Sequence, residues 1–283
     1  MWGVIWLASY PKSGNTWMRA FLANYFRNPE RPIPINNLPK YVLGDNFATH
    51  YQRLSGKPRS KLTAADIAQL RPRVHEWFAS ARGETAFVKT HSMVALVDGQ
   101  PLITPSATAG AIYVVRNPLD VAVSYANHNS TTLDQTVAAL CQDNLTLPGG
   151  GKLLPQVVGS WSQHVRTWVR APGLRPHVVR FEDMLAKPVK TFARVVRFLK
   201  LPGDSVRLNK ALRFSSFREL QRQESATGFV EARPDGVVKF FRAGKAGVWP
   251  DVLSADHVKR IVTCHREAMM EFGYLAPDGR PRT

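Results

Sequence analysis

Val4-Ile5-Trp6-Leu7-Ala8-Ser9-Tyr10-Pro11-Lys12-Ser13-Gly14-Asn15-Thr16-Trp17 is the stretch that decides the architecture. Its first half, within Gly3–Ser9, is a short apolar run rich in β-branched and aromatic residues, the composition of a buried strand. Tyr10 to Asn15 is a cluster of turn formers. From Thr16 onward, Trp17, Met18, Phe21, Leu22, Tyr25 and Phe26 recur at the spacing of one helical face. A loop that carries a strand into a helix N-terminus suits an anion, because first-turn amides and the positive end of the helix dipole point at it. Gly14 lets the backbone approach closely, Lys12 adds a point charge, and Ser13 and Thr16 add hydroxyl donors. The junction is P-loop-like in shape but is no Walker A motif. Its lysine precedes its glycine, and GxxxxGK followed by Ser or Thr occurs nowhere.

Strand-like runs follow at Thr85–Thr90, Ala111–Arg116 and His177–Phe181. Amphipathic helices fit from Thr63, whose side chain can cap, to about Ala81, with Pro72 as a kink point. Others fit Leu119–Asn127, Leu133–Gln142, Ser160–Ala171, Val189–Leu199 and Ala255–Phe272. Strands alternating with helices predict an α/β fold, a central mostly parallel sheet flanked by helices. No fixed-period repeat divides the chain, so residues 1–283 are expected to form a single domain. Asn28–Pro39 is too proline-rich to continue the first helix. Pro148–Gly151 and Gln221–Gly247 read as mobile loops.

The 283 residues carry a formal net charge of +17, which draws anionic partners without naming them. The charges are dispersed and form no tail. No apolar run reaches the roughly 18 residues of a membrane span, and no signal-peptide pattern opens the chain, so a cytoplasmic protein is expected. Cys141 and Cys264 are far apart and outside any CxxC or Cys/His cluster, which predicts core residues, with no disulfide and no metal site.

A second segment repeats the strand, turn and helix pattern: Tyr113-Val114-Val115-Arg116-Asn117-Pro118-Leu119-Asp120-Val121-Ala122-Val123-Ser124-Tyr125. Arg116, at the strand end, can hold a phosphate with its planar fork, and Ser124 can donate to the same anion. By itself Arg116 reads equally well as an ion-pair residue capping the sheet.

Together the two segments resemble the phosphate-binding motifs of the PAPS-dependent sulfotransferase family, approximately TYPKSGTTW and YVxRNPxDxxxSY. Here Ser9 and Asn15 are the departures from the first. Further stretches agree in order. Lys89-Thr90-His91 resembles the family's KTH, Phe181-Glu182-Asp183-Met184 its YEDM, Ser215-Ser216-Phe217 its TSF, and Arg242 to Trp249 its RKGxxGxW loop. Ala243 stands where that loop has a basic residue, and Phe181 where a tyrosine is usual.

The resemblance implies a cytosolic-type, bacterial-like sulfotransferase that moves a sulfuryl group from 3'-phosphoadenosine 5'-phosphosulfate (PAPS) to a hydroxyl or amine, with no metal. It implies His91 as general base, with Lys12 and Lys89 stabilising the leaving phosphate. Lys12, Ser13, Gly14, Asn15 and Thr16 would wrap the 5'-phosphosulfate. Arg116, Ser124, Arg242, Lys245 and nearby amides, in the loop that includes Ala243 and Gly244, would hold the 3'-phosphate. Trp17, Phe181, Ser216 and Phe217 would meet the adenine, although core packing explains Trp17 almost as well. The implied partner is a small-molecule acceptor, an alcohol, phenol, amine or glycopeptide-like compound. Nucleic acid is not expected, and a homodimer is compatible with the sequence. The alternatives are an ATP-dependent phosphotransferase, separable by Mg²⁺ dependence, and a basic nucleic-acid-binding protein, which leaves His91 unexplained. Acceptor contacts are expected from residues 31–60, 92–105 and 130–151, which carry no readable signature. His50, His75 and His128 read as structural.

Overall fold

A computed structural model describes residues 3–80, 84–232 and 239–283. In chain order the strands are β1 (Val4–Ser9), β2 (Leu43–Gly44), β3 (Ala86–Thr90), β4 (Leu96–Val97), β5 (Gln100–Pro101), β6 (Thr108–Val115), β7 (Thr146–Leu147), β8 (Gln156–Val157) and β9 (His177–Arg180). The helices are α1 (Asn15–Arg27), α2 (Ala48–Ser55), α3 (Ala64–Ser80), α4 (Pro118–Asn129), α5 (Leu133–Cys141), α6 (Trp161–Val169), α7 (Phe181–Ala186), α8 (Pro188–Phe198), α9 (Ser205–Phe214), α10 (Phe217–Thr227) and α11 (Ala255–Glu271). The main sheet runs β2-β3-β1-β6-β9. Non-consecutive neighbours require crossovers, and the β1/β3 and β2/β3 ladders are parallel, with Leu7 opposite Lys89 and Gly44 beside it. The α/β expectation holds.

By internal contacts the chain falls into two compact units, each assembled from separated stretches. The first comprises residues 1–10, 42–113 and 142–178. β1 is buried along almost its whole length, as a strand inside a parallel sheet must be. Trp6 donates from Nε1 to Thr108 Oγ1 at 2.8 Å and meets the edge of His75, which is bonded through Nδ1 to Thr104. α3 packs on β1 and α2, and starts where Thr63 Oγ1 accepts from the Asp66 amide. The predicted end of that helix, Ala81, lies outside the described residues.

The second unit comprises residues 11–41, 114–141 and 179–283. α1 packs on α9, α8 on α7 and α9, and α11 on α4 and α5. Ala20, Ala23, Ile33, Leu38, Leu220, Phe229 and Phe241 form part of its apolar core, with Trp17 and Phe217 packed against them. Asn117, Asp204, Ser216 and Ser254 cap α4, α9, α10 and α11 with their side chains.

Two expectations need correction. Gln221–Thr227 is not a loop but the body of α10, whose Leu220, Gln223 and Glu224 point inward; residues 233–238 of the predicted loop lie outside the described residues. Cys264 is exposed on α11 and Cys141 only half-buried, so neither is a core residue. A cysteine every few turns of an amphipathic helix falls on either face, and its small side chain leaves no signal of which. Among the described residues, no helix is long and apolar enough to cross a membrane.

Candidate active site

The turn between β1 and α1 is unusual in its backbone. Lys12, a non-glycine residue, has φ +66° and Gly14 has φ +103°. Gly14 is the N-cap position of α1 and has no side chain with which to cap the helix, and no acidic residue lies in its first turn. The first amides therefore keep their attraction for an anion. Ser13 beside them is 1% exposed, and its hydroxyl has no partner among the described residues. Asn15 and Thr16 are also buried. A side chain at position 14 would collide with the Phe181 ring at 2.7 Å, so the close approach of loop and ring demands glycine.

Arg116 lies at the end of β6 and is 8% exposed. Its Nη1 donates to the Lys12 carbonyl at 3.0 Å and its Nη2 to the Lys245 carbonyl at 3.1 Å. The guanidinium lies over the Phe181 ring, 4.3 Å from its centroid. Burial works against its charge, Asp120 and Glu182 support it, and Arg242 opposes it as a second nearby cation. Two cations gathered around a buried site are a stable arrangement where an anion shares them. Arg242 and Lys245 themselves are exposed.

Two carboxylates shape the loop that carries Arg242, Ala243, Gly244 and Lys245. Asp120, 1% exposed, accepts from the amides of Gly247, Val248 and Trp249 at 2.7, 2.9 and 3.2 Å. Glu224 accepts from the amides of Phe240 and Phe241 at 2.6 and 2.9 Å. A third, Glu182, accepts from the Asn117 amide and the Tyr274 hydroxyl; burial pushes its carboxyl up. A Cβ at Gly244 would collide with the Phe217 ring, so ring and loop backbone approach closely. Trp17 meets Phe181 edge-on, and Lys12 Nζ sits 3.9 Å from the Phe240 centroid. Ser216 spends its hydroxyl on capping α10, and Ser124 is half-buried on α4. The second unit thus contains every residue expected at the nucleotide.

Lys89 and His91 belong to the first unit. β3 ends at Thr90, whose hydroxyl donates to Asp45 Oδ2 at 2.6 Å and accepts from the Ser92 amide at 2.9 Å. Asp45 also receives Gln156 Nε2 at 2.9 Å, and its own amide donates to the Lys89 carbonyl. Burial pushes the Asp45 carboxyl up to about 6, against the pull of Thr90, Lys89 and Arg71. His91 Nδ1 lies 2.7 Å from the Ser9 carbonyl oxygen. A carbonyl can only accept, so Nδ1 carries the proton and the lone pair resides on Nε2.

The family model for the sulfotransferase domain matches residues 3–273. The chain belongs to the sulfotransferase domain family. Curated relatives include dog sulfotransferase 1B1, 24% identical over 269 residues, covering 93% of this chain and 82% of the relative. Cytosolic sulfotransferase 5 of Arabidopsis thaliana is 23% identical over 277 residues, 94% and 80% of the two chains. Among solved structures, mouse sulfotransferase SULT7A1 complexed with PAP superimposes with a TM-score of 0.56 at 20% identity, over 94% of this chain and 84% of that one. Retinol dehydratase in complex with retinol and PAP does so at 0.62 and 16%, over 94% and 81%. At these identities the structures establish the sulfotransferase fold, and the family match establishes the enzyme class.

Asp120, Glu182 and Met184 fall inside the sequence motifs with no task of their own there, and Glu224, Asp45 and His164 fall outside every motif. A signal existed for Asp120, an acidic residue in the first turn of a helix that Arg116 precedes. None existed for Glu224 or Asp45, whose partners lie 16 or more residues away.

Proposed function

We propose that this sulfotransferase uses PAPS and delivers the sulfuryl group to a hydroxyl or amine of a small molecule, with His91 as the base that takes the acceptor proton. One observation carries the donor assignment: the glycine N-cap of α1 with a buried Ser13 hydroxyl that has no partner among the described residues, beside the buried Arg116 fork. The residues fit such a nucleotide. Gly14 and Gly244 let the Phe181 and Phe217 rings close on the loop backbones, and Trp17 Nε1 is buried without a partner among the described residues. Trp17 and Phe217 offer flat apolar surface for a base.

PAPS supplies a sulfuryl group attached to a phosphate that leaves with its bonding electrons. Ser13, Gly14, Asn15 and Thr16 hold the 5' end through amides and hydroxyls, and Arg116, Arg242, Lys245 and Ser124 hold the 3'-phosphate. Lys12 and Lys89 neutralise charge that grows on the leaving phosphate oxygen, as fixed cations do in phosphoryl transfer. His91 Nε2 takes the acceptor proton as the acceptor oxygen or nitrogen bonds to sulfur. Its lone pair is there because Nδ1–H is committed to Ser9, and such a base contributes ~10²- to 10⁴-fold in rate. One sulfotransferase domain spanning the chain and a cytoplasmic location accompany this reading.

The test is incubation of the purified protein with PAPS and a panel of alcohols, phenols, amines, sugars and peptides, with sulfated products read by mass. A product that disappears in His91→Ala, while affinity for the desulfated nucleotide PAP persists, is the expected result. Turnover that survives in His91→Ala would reject the base, and absence of any PAP binding would reject the donor site.

A further inference from the structure

We propose that His164 is a positioning residue for His91, holding the peptide that carries the base through a buried chain that starts at Tyr113. This inference rests on the reading of His91 as general base. His164 Nε2 lies 3.0 Å from the His91 carbonyl oxygen and can only donate to it. That leaves the lone pair of His164 on Nδ1, which accepts from the Tyr113 hydroxyl at 2.8 Å. The opposite tautomer would set the Nε2 lone pair against a carbonyl oxygen, so the bonds fix one another. One turn further along α6, Trp168 Nε1 donates to the Ser92 carbonyl at 3.0 Å. His164 and Trp168 are four residues apart on one helical face, and together they grip the two consecutive carbonyls that follow the catalytic imidazole.

The chain is insulated from water. Tyr113, His164 and Trp168 are each 0% exposed. Burial pulls the His164 imidazole down to about 3 and pushes the Tyr113 hydroxyl well above its ordinary range, so the ring stays neutral and the hydroxyl keeps its proton. Tyr113 and Trp168 also stack, and Tyr10 meets the His164 ring edge-on. A general base must hold its lone pair within hydrogen-bond reach of the acceptor proton. His91 is pinned at the ring by Ser9 and at the backbone by His164, and the two contacts together set where Nε2 points.

The test combines kinetics, on the acceptor that the panel shows to be turned over fastest, with ¹⁵N spectra of the imidazoles in the PAP complex. His164→Phe should lower kcat by ~10²-fold, the cost of a displaced reacting group, while PAP affinity stays unchanged. His164→Gln, which restores an N–H toward the His91 carbonyl, should recover part of the loss. In a His91→Ala background, His164→Phe should cost nothing further. The His91 ¹⁵N shifts should report one tautomer in the wild type and a mixture in His164→Phe. Full kcat in His164→Phe beside an inactive His91→Ala would overturn the positioning role and leave the base intact. An active His91→Ala would instead sink the base reading. Should His164→Phe fail to fold, Tyr113→Phe removes a single hydroxyl; unmoved His91 shifts there would overturn the proposal independently of any acceptor.

Discussion

Arg116 donates through Nη1 to the carbonyl of Lys12, a residue held at φ +66°, and through Nη2 to the carbonyl of Lys245. A left-handed non-glycine residue costs on the order of 1 to 3 kcal/mol and persists only where its surroundings hold it. The guanidinium therefore does two tasks: it supplies charge and it fixes the turn that carries Lys12. Arg116→Lys keeps the charge and loses the fork. The variant is expected to lose ~1.5 to 3 kcal/mol of PAP affinity by calorimetry, the range for a hydrogen bond to a charged group. Unchanged affinity would show that charge alone suffices.

Asp120 accepts three consecutive amides, and an amide side chain cannot. Asp120→Asn is expected to lower the urea midpoint by the equivalent of ~1 to 3 kcal/mol, the cost of leaving buried donors unmet. PAP binding should weaken with it, because Arg242 and Lys245 belong to the same loop. A variant with normal PAP affinity would separate that loop from the nucleotide.

Gly14→Ala places a methyl group 2.7 Å from a ring carbon of Phe181, at a φ of +103° that alanine avoids. Phe181 also carries the Arg116 guanidinium, so the displacement spreads to the cation. The variant is expected to melt at lower temperature and to show a smaller PAP-induced rise in melting temperature than the wild type. An equal rise in both proteins would show that the ring tolerates the shift.

Acid should destabilise the protein through its buried imidazoles. Burial holds His75 and His164 down to about 3 and His50 to about 4, from an ordinary 6.5. Below pH 6.5 the unfolded chain gains these protons and the folded one does not, so stability falls with pH until the folded values are reached. Asp45 has the opposite sign. Its folded value of about 6 exceeds the ordinary 3.8, so it favours the folded state at low pH and loses that contribution as pH rises through 6. Glu182, whose carboxyl burial also raises, acts in the same sense as Asp45; the three imidazoles outweigh these two carboxyls and leave a net fall toward acid, measurable as urea midpoints from pH 6.5 to 4.5. His75→Asn, which removes one imidazole, should flatten the slope. An unaltered slope would contradict the assignment.

The strand, turn and helix at the head of the chain were legible because burial, turn chemistry and helical periodicity follow one another there within Val4 to Phe26. The same holds for Tyr113 to Tyr125. α2, α9 and α10 were not legible: α10 is mostly polar, and only Ser216 at its start and three inward residues give it away. The residues proposed to hold the donor could be named as motifs, since loop geometry is local. Long-range contacts were not. Whether Asp120 would reach Gly247 or His164 the His91 carbonyl depends on pairings across 127 and 73 residues, which no window of sequence contains.

The second unit is stitched from stretches that are far apart in the chain, 11–41, 114–141 and 179–283. During synthesis the P-loop-like turn leaves the ribosome long before Phe181 and Lys245, the residues that complete its surroundings. A nascent chain can form its first turn early and must wait for its last quarter before the Lys245 carbonyl can meet Arg116. Such late closure makes assembly slow and leaves apolar surface open meanwhile.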